Sequence, residues 1–124
     1  GVENIEFRLI VEGIKKNQRD NLLEKIKNET ELGEYLYLPI KTYSTGMRFR
    51  LAFFTSLHIE SDILLLDEWI GVADQNLRDK VDKLIYERIT KSKITLIASH
   101  NSERLKRICN KIISFEKGEI SKIS

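Results

Sequence analysis

The first half of the chain repeats apolar side chains at helical spacing. Residues 3–14 place Ile5 and Leu9 near one face, and residues 17–32 repeat apolar side chains every three or four positions, with lysines and glutamates between them. Gly33 follows this second pattern and is expected to end it. Two amphipathic helices are therefore predicted in this part of the chain.

A third helix is predicted after the connector that contains Pro39. Ser44 is a favourable N-cap residue, and the helix is expected to run from there to about His58. This helix completes an all-helical first half. The side chains expected to form its buried stripe are Leu51, Ala52, Phe54 and Leu57 or Phe53.

The second half changes to short apolar runs that alternate with helical patterns. "DILLLDE", residues 62–68, is too short for a free helix and is typical of a parallel strand buried on both faces, and "KITLIAS", residues 93–99, predicts a second buried strand. Residues 75–90 and 102–109 are predicted helices. "KIISFEKGEISKI" predicts two strands around a Lys117–Gly118 turn. The alternation indicates an α/β fold with a parallel sheet.

Composition and charge exclude several classes of protein. The 124 residues correspond to about one small domain, and 41% hydrophobic with 32% charged residues fits a soluble globular segment and argues against disorder. The net charge of +2 is too small to indicate nucleic acid as the main partner. The apolar runs are far shorter than a membrane span, and the single cysteine, Cys109, excludes an internal disulfide framework.

Two carboxylates end the first predicted strand. Ligands of α/β sheets bind outside the carboxyl ends of the strands, so Asp67 and Glu68 are candidate functional residues. One carboxylate can hold a hydrated Mg²⁺ through its waters, and the other can orient or deprotonate an attacking water. Taken alone, the pair is better explained as a solvated strand end.

A histidine follows the second predicted strand. His100 is expected on the same rim as Glu68, where its ring can donate a hydrogen bond to a transferring phosphoryl oxygen. A capping or surface histidine is the common alternative, and Asn101 and Ser102 can cap the following helix.

The turn before the third helix is a candidate anion site. A helix N-terminus offers unpaired N–H groups and a partial positive charge, and Ser44 adds a hydroxyl donor. Gly46 has no side chain to block close approach of a ligand to the backbone. The alternative is an ordinary N-cap followed by a tight helix start.

The order of these features resembles the nucleotide-binding domain of ABC transporters. "YSTGM" is similar to the LSGGQ signature of that family, with Ser44 and Gly46 at the second and fourth positions, although the other three positions differ. "DILLLDE" resembles the Walker B motif, with Asp67 as its aspartate and Glu68 as the catalytic glutamate.

Further segments extend the resemblance. "GVADQ", residues 71–75, is at the D-loop position, where Asp74 matches, His100 matches the switch histidine, and "FEKGEI" looks like the C-terminal hairpin of the domain. "GVENIEFRLIVEGI", "LGEYLYLPIKTYSTGMRFRLAFF" and "LLLDEWIGVADQ" are similar to ATPase subunits that export polysaccharide, O-antigen, capsule or teichoic acid.

The resemblance covers essentially the whole chain and implies a partial P-loop NTPase (ABC ATPase) fold. Residues 1–59 would form the helical subdomain with the signature, and residues 60–124 the second, parallel-sheet half of the ATPase core. The sequence contains no G-x-x-x-x-G-K-[ST], which is the P-loop pattern. The chain is therefore expected to be a C-terminal portion of such a subunit and to be inactive alone.

The resemblance also implies ATP and Mg²⁺ as cofactors. Asp67 would order Mg²⁺ through water, Glu68 would polarise the attacking water, and His100 would stabilise the transferred phosphoryl group. Ser44 and the Gly46 backbone would contact the γ-phosphate bound by a second subunit.

The implied partners are a second ATPase subunit and a permease. Two subunits would form a head-to-tail homodimer, with Asp74 linking the two nucleotide sites. Hydrolysis would drive export of a polysaccharide or teichoic-acid-type glycan through a separate transmembrane permease contacted by the helical subdomain. The subunit would be peripheral, at the cytoplasmic face of the plasma membrane, with no nucleic acid partner.

Two other functions remain open at this stage. A truncated, non-enzymatic module could bind and regulate a partner ATPase. An ABC-type ATPase of DNA repair also carries a signature and a Walker B motif, but such proteins have long coiled coils and no sustained heptads occur here.

Overall fold

A computed structural model of the protein describes residues 1–68 and 75–124. Two 3₁₀ turns, Gly33–Tyr37 and Ile40–Thr42, lie in the connector before the third helix. No helix within the described ranges is long and apolar enough to cross a membrane. The helices are α1 (Val2–Val11), α2 (Lys16–Thr30), α3 (Thr45–Leu57), α4 (Gln75–Lys91) and α5 (Ser102–Ile108), and the strands are β1 (Ile63–Asp67), β2 (Ile94–Ala98), β3 (Ile113–Glu116) and β4 (Glu119–Ile123).

The first two helices end at residues with left-handed backbone conformations. The chain leaves α1 before Gly13, whose φ is +74° and whose N–H donates to the carbonyl of Ile10 at 2.9 Å. The chain leaves α2 at Glu31, whose φ is +54°. The first helix therefore ends three residues, and the second two residues, before the position that the apolar pattern predicts, because a left-handed residue cannot continue a right-handed helix.

The core lies between α1, α2, α3 and α4. Its fully buried side chains come from every one of these helices, and Leu66 of β1 joins them. This arrangement follows from the apolar stripes of the four helices, which must be removed from water together. The core residues are Ile5, Leu9, Ile26, Leu32, Leu36, Tyr43, Leu51, Phe54, Leu57, Leu66, Leu77, Val81 and Ile85.

The buried stripe of α3 differs from the predicted one at two positions. Leu51, Phe54 and Leu57 are buried as predicted, but Ala52 is exposed and that part of the prediction is wrong. Thr55 is buried instead, and its hydroxyl donates to the carbonyl of Leu51 at 2.6 Å. A threonine is tolerated there because its polar group is satisfied inside its own helix.

The strands β1 and β2 pair in parallel, as predicted, but only one face of the pair is covered. Leu66 is 9% exposed and Leu64 packs against the core, whereas Leu65 and Leu96 are 69% and 60% exposed. Alternate side chains of a strand point to opposite faces, and the core lies against one of them. The prediction that both faces are buried is therefore wrong for the described part of the chain.

The last two strands form an antiparallel hairpin of their own. The predicted turn is confirmed, with φ of +51° at Lys117 and +84° at Gly118. Positive φ at both central residues is typical of a tight hairpin turn. Within the described residues β3 does not join β1 and β2, so the parallel sheet has two strands there.

Polar contacts hold α4 to the rest of the molecule. The Lys80 ammonium donates to the carboxylate of Glu31 at 2.9 Å and to the carbonyl of Glu29 at 3.2 Å. At the other end of α4, Arg88 Nη2 donates to the carbonyl of Ile59, between α3 and β1. The helix that precedes β2 is thereby fixed to the end of α2 and to the segment between α3 and β1.

Candidate functional site

The parallel pairing brings the carboxyl ends of β1 and β2 to the same edge. Asp67 lies opposite Ala98 in the register, and Glu68 and His100 follow these two positions along the chain. The backbone N–H of Glu68 donates to the carbonyl of Ala98 at 3.2 Å, which extends the ladder by one bond. The structure therefore places three candidate residues at one edge of the sheet.

Glu68 and His100 are in direct contact. The Glu68 carboxylate accepts a hydrogen bond from the backbone N–H of His100 at 2.9 Å, and His100 Nε2 lies 3.9 Å from the same oxygen. The His100 side chain is fully exposed. The imidazole is thus available to a ligand, while the carboxylate beside it has a fixed direction.

Glu68 also has an unusual backbone. Its φ of +42° lies in the left-handed region, which costs a non-glycine residue of order 1–3 kcal/mol. Surrounding contacts must maintain that conformation, and the bonds to Ala98 and His100 do so. Glu31 and Lys117 also have positive φ, at a helix end and a hairpin turn, so this conformation does not by itself assign a role to Glu68.

Asp67 is exposed on the open face of the sheet. It follows Leu65 at a spacing of two residues, so both side chains point to the face that is not covered by helices. The described part of the chain contains no group of three or more His, Cys, Asp or Glu residues able to hold a metal ion. A single carboxylate suits Mg²⁺ that keeps most of its water ligands, and Asp67 fits that role.

The turn before α3 forms a second candidate group. Ser44 is the N-cap residue of α3, as predicted, and its Oγ accepts a hydrogen bond from the Met47 N–H at 3.2 Å. No acidic residue lies in the first turn of α3. A Cβ added to Gly46 would approach only Ser44 Oγ, at 3.9 Å, so the backbone there is open to a ligand. The turn thus has an exposed hydroxyl and an unblocked helix start, as an anion site requires.

Tyr43 anchors this turn, a role that was not predicted from the sequence. Its ring is only 3% exposed, and its hydroxyl donates to the carbonyl of Tyr35 at 2.6 Å. Burial raises the pKa of Tyr43 above its ordinary value. The residue before Ser44 therefore ties the start of α3 to the first 3₁₀ turn, and an aromatic side chain next to an N-cap was the available signal.

The remaining candidate, Asp74, lies outside the described residues, as does the rest of the predicted D-loop before Gln75. Ser44 and Gly46 have no hydrogen bond or ion pair with Glu68 or His100 in the described ranges. The two candidate groups are therefore built on separate sets of contacts.

Comparison with models of known protein families gives no match. Among curated proteins, the chain is 38% identical over 120 residues to the teichoic acids export ATP-binding protein TagH of Staphylococcus epidermidis and to that of Staphylococcus haemolyticus. It is 37% identical over 120 residues to TagH of Staphylococcus saprophyticus. Each alignment covers 97% of this chain and 46% of the relative, so the chain spans about half the length of the curated relatives it matches.

An alignment that covers 97% of the chain leaves only residues at its ends unmatched, so it includes both candidate groups. The chain is therefore similar, over nearly its whole length, to teichoic acids export ATP-binding proteins, which confirms its resemblance to the ATP-binding subunit of an ABC transporter of the polysaccharide and teichoic acid exporter type.

Proposed function

We propose that the chain is part of the ATP-binding and ATP-hydrolysing subunit of an ABC transporter that exports a polysaccharide or teichoic-acid-type glycan. The observation that carries this proposal is the meeting of Glu68 and His100 at the carboxyl edge of β1 and β2, in a chain similar to TagH. The proposed fold is that of a P-loop NTPase, with residues 1–59 as the helical subdomain and residues 60–124 as part of the ATPase core.

The strand-edge residues have distinct proposed roles. Mg²⁺ bound with ATP neutralises charge on the phosphate oxygens, and Asp67 would hold it through water. Glu68 would orient and polarise the attacking water, and His100 would donate a hydrogen bond to the transferred phosphoryl group. Because the Glu68 carboxylate is bonded to the His100 backbone, the carboxylate keeps its position before any ligand binds, and the imidazole beside it is fully exposed.

The turn at Ser44 has its proposed role in a second copy of the subunit. Its exposed hydroxyl and the open backbone at Gly46 would contact the γ-phosphate of ATP held by the other subunit of a head-to-tail homodimer. A role in a second subunit agrees with the structure of the single chain, where the Ser44 turn has no hydrogen bond or ion pair with Glu68 or His100 in the described ranges. Asp74 would connect the two nucleotide sites.

The proposed membrane partner is a separate transmembrane permease, which the peripheral subunit would contact at the cytoplasmic face of the plasma membrane. Phe7, Ile10 and Val11 of α1 are exposed apolar side chains at helical spacing, and we name them the α1 apolar face. Tyr37 and Leu38 are also exposed. Contiguous apolar side chains on a protein surface are typical of interaction sites, so this face is the proposed contact for the permease.

The 124 residues are not proposed to hydrolyse ATP by themselves. They contain no G-x-x-x-x-G-K-[ST] pattern, whose backbone amides and lysine bind the nucleotide phosphates in such proteins. ATP hydrolysis by the purified chain would overturn this part of the proposal if the Glu68→Gln substitution abolished it.

A chimera tests the activity. In the TagH protein of Staphylococcus epidermidis, the segment that aligns with 120 residues of this chain is replaced by the chain. The steady-state release of phosphate from ATP is then measured. We expect hydrolysis by the chimera, and a decrease of about 10²- to 10⁴-fold in Glu68→Gln, because the general base is lost. Glu116→Gln, which removes an exposed carboxylate in β3, is the matched control and should retain the activity.

The outcomes separate the proposal from a regulatory module. Circular dichroism and thermal melting establish that each chimera is folded. A folded chimera that binds ATP without hydrolysing it would support the non-enzymatic alternative, and equal turnover by the Glu68→Gln and Glu116→Gln variants would remove Glu68 from the mechanism.

A further inference from the structure

Arg88 of α4 is a buried cation without a counter-ion. The residue is 6% exposed, and its Nη2 donates to the neutral carbonyl of Ile59. Its Nε has no hydrogen-bond partner, and no carboxylate of the described residues forms an ion pair with it. Buried charges in proteins are normally paired, because removal from water costs several kcal/mol. The charge of Arg88 is therefore not compensated by a carboxylate within the described residues, and an anion in a neighbouring cavity can compensate it.

A cavity lies against this guanidinium. It has a volume of about 650 Å³ and is bounded by the α1–α2 connection, α2, the end of α3 and α4. Arg88 and Lys91 line it together with Lys25, Asn17, Gln18 and Asn21. The volume is in the range of small-molecule sites, and its polar lining includes three cations and three amide residues, all of which can donate hydrogen bonds.

Arg88 and Lys91 also line a smaller adjoining cavity. They are three residues apart on α4, so their side chains lie on the same side of the helix. Two cations one helical turn apart can share one anion, the guanidinium through its planar fork of donors and the ammonium as a point charge.

Three glutamates also line the larger cavity and oppose an anion. Glu12 forms an ion pair with Arg8 at 2.6 Å, which neutralises its charge. Glu60 and Glu87 are exposed, so their carboxylates are solvated by bulk water. Both carboxylates oppose binding of an anion, but neither forms an ion pair with Arg88 in the described part of the chain.

We propose that this cavity binds a small oxyanion, a carboxylate or a phosphate group, whose oxygens accept hydrogen bonds from Arg88 and Lys91. The size of the cavity favours a small ligand over a docked helix or strand. The proposal is independent of the ATPase function, because none of its residues belongs to the strand-edge group or to the Ser44 turn.

The test is a titration with inorganic phosphate and, separately, with acetate, at ionic strength held constant with sodium chloride. It uses the ¹⁵N-labelled chain with Leu65→Lys and Leu96→Glu, two substitutions that remove exposed apolar side chains of the parallel sheet and so limit self-association. We expect saturable shifts of amides in residues 57–60 and 84–91. Lys91→Met should weaken binding about tenfold, because one charge-assisted hydrogen bond is lost. Glu87→Gln should strengthen binding, because an opposing charge is removed. Lys83→Met, at another exposed lysine of α4, is the matched control and should bind like the unsubstituted chain.

The two anions identify the chemistry of the ligand. Tighter binding of phosphate indicates a phosphate group, and tighter binding of acetate indicates a carboxylate. Shifts confined to residues 44–48, abolished by Ser44→Ala, would assign the bound anion to the start of α3 and overturn the proposal. So would equal effects of Lys83→Met and Lys91→Met, or the absence of saturation with both anions. The test needs no substitution of the buried Arg88, which would disturb folding, because Lys91 and Glu87 are exposed.

Discussion

The carboxylate of Glu68 accepts a hydrogen bond from the backbone N–H of His100 at 2.9 Å. The contact joins the residue after β1 to the second residue after β2, so the pairing of two strands decides where a candidate catalytic carboxylate points. The donor is a backbone group, which every residue type at position 100 except proline supplies. The orientation of Glu68 is therefore independent of the imidazole that the proposed mechanism also needs.

This independence predicts different effects of substitutions at the two positions. Glu68→Ala removes the acceptor, so the amide proton of His100 should shift upfield in the proton NMR spectrum. Glu68→Gln retains a carbonyl acceptor, and His100→Ala retains the donor, so the amide proton of residue 100 should stay close to its original position. A similar shift in all three variants would show that the imidazole, and not the backbone, holds Glu68.

The N-cap contact of Ser44 predicts a loss of stability. Ser44→Ala removes the acceptor for the Met47 N–H and should decrease the free energy of unfolding by about 1 kcal/mol. Urea denaturation followed by circular dichroism measures this value. The matched control is Ser56→Ala, an exposed serine inside α3, where alanine is the better helix former and the stability should stay equal or rise slightly. An equal loss in both variants would argue against a specific N-cap role.

Features that depend on neighbouring residues could be predicted from the sequence. The start of α3 at Ser44 follows from local capping, and the hairpin turn at Lys117–Gly118 follows from the need for positive φ. The common edge of Asp67 and His100 also followed, because parallel strands align their carboxyl ends. In each case a few consecutive residues, or one general rule of sheet topology, determine the result.

Features that depend on tertiary contacts could not be predicted in this way. Ala52 and Thr55 are both compatible with a buried helix face, and only the packing of α3 decides between them. The bond from the His100 amide to Glu68 requires a left-handed backbone that no side-chain pattern indicates. The isolated cation at Arg88 was likewise not visible in a sequence where charges of both signs are mixed.

The open face of the parallel sheet predicts self-association of the isolated chain. Ile63, Leu65, Ile94 and Leu96 are each more than half exposed, and exposed apolar surface of this kind promotes aggregation at concentrations on the order of micromolar to millimolar. Leu65 and Leu96 are directly opposite each other in the register. The double variant Leu65→Lys/Leu96→Glu places an ion pair across the strands, adds no net charge and should shift the chain toward monomer in sedimentation velocity.

The control for this prediction is an exchange of charges in β4. Glu119→Lys/Lys122→Glu also leaves the net charge unchanged and alters only exposed positions. The control variant should associate like the unsubstituted chain. A similar decrease of association in both double variants would assign the effect to general charge patterning and not to the open face of the parallel sheet.

The buried hydroxyl of Tyr43 predicts a pH-dependent stability. At neutral pH, Tyr43→Phe should decrease the free energy of unfolding by about 0.5–1.5 kcal/mol, because the hydrogen bond to the Tyr35 carbonyl is lost and that carbonyl is left without this donor.

Burial raises the pKa of Tyr43 in the folded chain, so deprotonation is easier in the unfolded chain. The resulting stabilisation is fully present below the ordinary tyrosine pKa and is lost as the pH rises through the raised value in the folded chain. The difference in stability between the unsubstituted chain and Tyr43→Phe should therefore narrow above about pH 10. Urea denaturation at about pH 7 and about pH 11 measures it. Tyr86→Phe, at an exposed tyrosine, is the control and should show no such narrowing, whereas a constant difference for Tyr43→Phe at both pH values would contradict the role of its burial.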